Sequence, residues 1–162
     1  MQTITQNYQV VNYLAPVDAS GSSLSKSNAT FLGMKGFNKI TFIVNAGAMT
    51  EATTSIAAYT AINKSGSSVA SSALTLTHYW TNVASTSTAV LTRTAATSSK
   101  AVATSVNGAC YVLEYDAKQF TSSHDYICLA ITGISAGAFM QVTAILHDAR
   151  YASDPMVINV KA

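Results

Sequence analysis

Apolar and polar residues alternate with a period of two through most of this chain, and no stretch keeps the 3.6-residue period of a surface helix. In Lys39-Ile40-Thr41-Phe42-Ile43-Val44-Asn45, one face carries Ile40, Phe42 and Val44, and the other carries Thr41, Ile43 and Asn45. Residues 138–147 repeat the pattern, with Met140, Val142, Ala144 and Leu146 sharing a face. Further strands are predicted at 55–62, closed by the turn Asn63-Lys64-Ser65-Gly66, and at 73–81, where Leu74 and Leu76 alternate with Thr75 and Thr77. Two more are predicted at 109–117 and 126–132. Residues 87–106 hold alanine but also many Thr and Ser, and read as strand, long loop and strand.

These elements predict an all-β fold, an antiparallel β-sandwich of jelly-roll type over residues 31–162. Residues 1–30 hold few strong core anchors and read as an extended N-terminal arm leading into it. Pairing 109–117 with 125–132 as a local hairpin sets Tyr111 opposite Ile127 and Cys110 opposite Cys128. Those two cysteines then sit close enough to bridge, or remain two reduced small residues, the reading that is favoured here.

Composition narrows the function. At 162 residues the chain is one domain, able to bury about 70% of its unfolded surface. Only 10% of residues are charged and the net charge is +2, which points away from nucleic acid and toward protein partners. No secretion signal and no membrane span is read from the sequence, so synthesis and folding in a cytoplasm are expected.

The candidates for chemistry are few. Glu114 and Asp116 lie two apart on a strand, as an acid pair or a solvated strand end. His78, His124 and His147 are far apart, and no zinc, nucleotide or nucleophile-elbow spacing occurs, so neither an enzyme nor a cofactor is expected. Tyr79 and Trp80 read either as a glycan-stacking platform or as core aromatics. The densest charge lies at residues 147–154. There Asp148, Arg150 and Tyr151 read either as a partner-binding hook or as a local Arg-Asp clasp, and Asp154-Pro155 forces an extended exit.

Residues 42–75 ("FIVNAGAMTEATTSIAAYTAINKSGSSVASSALT"), 115–132 ("YDAKQFTSSHDYICLAIT") and 142–153 ("VTAILHDARYAS") resemble small β-sandwich structural proteins of tailed bacteriophages. The resemblance covers roughly residues 37–155, most of the chain, departs at Ser65-Gly66-Ser67, and does not extend to the N-terminal arm. It implies a virion component: a head decoration or cement protein on the capsid surface, bound to the major capsid protein. It also implies self-association, with a trimer favoured over a dimer, and no catalytic residue, nucleic acid or membrane. The alternative is a tail or fibre module that recognises a glycan through Tyr79 and Trp80.

Overall fold

The computed structural model describes residues 7–18, 25–48, 55–76, 78–83, 90–95, 100–101, 107–121, 123–132 and 139–150. Ten strands run in chain order: β1 (Gln9–Asp18), β2 (Leu32–Gly33), β3 (Phe37–Ala48), β4 (Ser55–Ala61), β5 (His78–Val83), β6 (Thr92–Ala95), β7 (Lys100–Ala101), β8 (Asn107–Asp116), β9 (Tyr126–Thr132) and β10 (Phe139–Ala149). They form a six-stranded sheet in the order β1-β10-β3-β8-β5-β6 and a four-stranded sheet in the order β2-β9-β4-β7, antiparallel throughout. The expected antiparallel sandwich is the observed fold.

The pairing is nested. β1 pairs with β10, β2 with β9, β3 with β8, β4 with β7, and β5 with β6. The chain is thus one long antiparallel hairpin, rolled up so that β10 also meets β3, β9 meets β4 and β8 meets β5. This arrangement is compatible with the expected jelly roll.

Alternation explains which residues fill the space between the sheets. Ile40, Phe42 and Val44 from β3, Tyr111 and Leu113 from β8, and Val142, Ala144 and Leu146 from β10 are all fully buried. They meet Ile56 and Ala58 of β4 and Ile127, Leu129 and Ile131 of β9 in one core. Phe42 lies edge-on to Tyr13 at 5.4 Å and to Tyr115 at 6.3 Å.

Three expectations change. Within residues 1–30, read as an arm outside the sandwich, Gln9–Asp18 is the edge strand of the larger sheet, and its Tyr13 lies in the core. The cysteines do not face each other, because β8 and β9 lie in different sheets. Cys110 pairs with Asn45 and Asn82, Cys128 pairs with Tyr59, and both thiols are free. The predicted strand at 73–81 starts later, at His78; Leu74 instead runs along β4, its amide donating to the Ala58 carbonyl at 2.8 Å.

Candidate protein interface

An antiparallel sheet in a sandwich normally alternates between a core face and a polar outer face. Three of the four inner strands of the larger sheet, β10, β3 and β8, break that rule. Phe42-Ile43-Val44 in β3, Tyr111-Val112-Leu113 in β8 and Ala144-Ile145-Leu146 in β10 are each three apolar residues in succession. The outer members of each triplet are buried, so Ile43, Val112 and Ile145 point away from the core and are only partly covered.

The register lines these residues up. One row across the sheet reads Asn12, Thr143, Ile43, Val112, Trp80 and Arg93, each opposite the next. A second reads Val10, Ile145, Thr41 and Glu114, with Val10 63% exposed at the edge. A third reads Gln141, Asn45, Cys110 and Asn82. The centre of the outer face, around Ile43, Val112 and Trp80, is therefore aliphatic and aromatic with neutral polar neighbours, and Glu114 and Arg93 lie at its borders.

Charge gathers at one end of that face. The Lys39 ammonium lies 3.7 Å from the Glu114 carboxylate, and both side chains are 39% exposed, so solvent screens the pair and it contributes little to stability. Asp116 follows Glu114 on the same side, and its carboxylate accepts from the Lys118 amide at 2.8 Å to cap a short 3-10 turn. This is the solvated strand end of the sequence reading. His78 lies edge-on to Trp80 at 4.8 Å and is 3.2 Å from an Arg93 guanidinium nitrogen. His147 meets the Thr41 hydroxyl at 2.9 Å, while His124 meets Thr60 at 2.7 Å in a different region. Among the described residues, no three metal-ligating side chains converge.

The outer face of the smaller sheet is partly covered by its own chain. Phe31 packs on Ala61 and Cys128, and the Ala70 amide donates to the Thr60 carbonyl at 2.8 Å. Lys26 sits over the Tyr59 ring at 5.1 Å. Burial pushes the Cys128 thiol up to about 12.

The residues singled out from the sequence fall in separate places. Tyr79 and Trp80 do not form a platform: neighbours on a strand point to opposite faces, and Tyr79 is in the core while Trp80 is on the outer face. Arg150 forms a clasp, though not with Asp148. Its Nε donates to Asn38 Oδ1 at 2.8 Å and its amide to the Gly36 carbonyl at 2.8 Å, fastening the end of β10 to the turn before β3. Asp148 is exposed, with a positive φ of 58° between them. Tyr151, Asp154 and Pro155 lie outside the described residues. The apolar outer row was missed, yet its signal was present: uninterrupted apolar triplets mark strands covered on both faces.

No family model matches the sequence, and no curated protein matches it. Among solved structures, the chain is similar to the SPBc2 prophage-derived protein YomS, with 10% identity and a TM-score of 0.47, over 86% of this chain and 92% of that one. At that distance the likeness lends nothing to a functional reading. Among the described residues, no helix is long and apolar enough to cross a membrane.

Proposed function

We propose that this chain is a virion structural protein of a tailed bacteriophage, a head decoration or cement protein that seats on the outer surface of the major capsid protein shell. It works by contact between proteins, as a homo-oligomer, without catalysis or cofactor. The observation that carries the protein-contact part of this reading is the uncharged apolar row Ile43, Val112 and Trp80 on the open face of the larger sheet. Such a face is costly to leave in water and fits a protein neighbour. The residues resembling phage sandwich proteins support a phage particle as the setting. The glycan-binding alternative loses its two-ring platform and keeps Trp80 alone.

The shell contact is assigned to the end of the sandwich opposite the charged cluster, where Phe139 is 55% and Val17 40% exposed on adjacent strands. Cryo-electron microscopy of purified phage particles tests the proposal. Density for this sandwich on the head surface is the expected result; its location on the tail, or its absence from the particle, overturns it. Phe139→Ser is expected to reduce head occupancy at least severalfold with an unchanged melting temperature.

A further inference from the structure

We propose that the open face of the six-stranded sheet is covered by a second copy of this chain, packed face to face about a twofold axis running along the strands between β3 and β8. The inference deepens the reading above and rests on its treatment of that face as a protein interface.

Three observations point to a second copy. The first is symmetry. In the order β1-β10-β3-β8-β5-β6 the axis passes through the middle of the sheet and exchanges β3 with β8, β10 with β5, and β1 with β6. A residue on one copy then meets the copy of its own cross-strand partner. Ile43 meets Val112, Asn45 meets Cys110, and Trp80 meets Thr143 beside Ile145. Aliphatic falls on aliphatic, and the only tryptophan of the chain becomes an anchor.

The second is charge. Lys39 stands opposite Asp116 in register, with Glu114 beside it. The same rotation brings Lys39 of each copy over Asp116 and Glu114 of the other, so the one charged end is complementary to itself twice over. A twofold interface uses the same patch on both partners, and self-complementarity is its requirement.

The third is size. Six strands about 4.8 Å apart span about 24 Å, and ten residues at about 3.3 Å each run about 33 Å. The face therefore offers up to about 800 Å², the area each partner buries in a standard interface. Aligned sheet-on-sheet packing is also a common way for such faces to meet.

The test is sedimentation of the full chain and of charge variants, with circular dichroism to confirm that each folds. The wild-type chain is expected to be a dimer. Lys39→Glu alone and Glu114→Lys alone are each expected to weaken the dimer about tenfold, because each sets like charges face to face at two symmetric places. Mixing the two variants is expected to restore a dimer containing one chain of each. An ion pair confined within one chain cannot produce that rescue. Val112→Arg is expected to give monomers. A monomeric or trimeric wild type, variants that all stay dimeric, or a mixture that fails to pair would each overturn the proposal. A dimer never found on phage heads would leave this pairing standing and remove the decoration reading, while a monomer found on heads would do the reverse.

Discussion

The Tyr13 hydroxyl crosses from the larger sheet to Leu129 in the smaller one, donating to its carbonyl at 3.0 Å and accepting from its amide at 2.9 Å. β2 covers only Tyr126 and Ile127 on that edge of β9, so the backbone of Leu129 would otherwise lack a partner from β2. Burial accordingly holds the phenol protonated far above its ordinary range.

Tyr13→Phe removes the hydroxyl and keeps the ring, leaving two buried backbone groups without this partner. A loss of about 1–3 kcal/mol is expected in urea unfolding. An unchanged midpoint would show that water or another group replaces the hydroxyl at no cost.

Phe42 is fully buried between the rings of Tyr13 and Tyr115. Phe42→Ala is expected to cost about 3–5 kcal/mol, read as a lower denaturation midpoint with an unchanged slope. Ile43→Ala, one residue away but on the outer face, is expected to cost the monomer much less.

These two positions mark how far the sequence could be read. Alternation identified the core faces of β3 and β10 because both are central strands, covered on one side by the core and flanked on both edges. Tyr13 was missed because an edge strand with Pro16 and two register shifts shows little periodicity. The hairpin register for Cys110 and Cys128 failed for a topological reason. A local hairpin needs strands adjacent in sequence to be adjacent in space, whereas nesting sends β8 and β9 to opposite sheets. The Tyr79-Trp80 platform failed on strand geometry alone, and the outer apolar row was legible in the triplets.

The Arg150 clasp is testable by a double-mutant cycle. Arg150→Ala and Asn38→Ala are each expected to cost about 1 kcal/mol or less, and the double variant little more than either single one. Additive losses, together with reduced head occupancy for Arg150→Ala, would move Arg150 from clasp to partner contact.

Stability should fall at alkaline pH. Burial raises the Cys128 thiol from 9.0 to about 12 and also raises the Tyr13 and Tyr115 phenols. Below about pH 9 the thiol is protonated in both states and its stabilising effect is fully present. As pH climbs from there toward 12, the unfolded chain gives up the proton first, costing about 1.4 kcal/mol per pH unit for Cys128. Urea midpoints measured from about pH 8 to about pH 10 are expected to decline, and Cys128→Ala to flatten the decline. Native Cys128 is also expected to resist alkylation for longer than Cys110.

The nested hairpin places Gln9 beside Leu146, so the earliest and latest strands close the same sheet. Loop-closure entropy must be overcome across nearly the whole polypeptide before that ladder forms, which sets folding in the slow millisecond-to-second range of high contact order proteins. The same proximity makes a circular permutant practicable. A permutant opened between β5 and β6, with a linker from the end of β10 to the start of β1, would make the β1-β10 ladder a local hairpin and speed its formation.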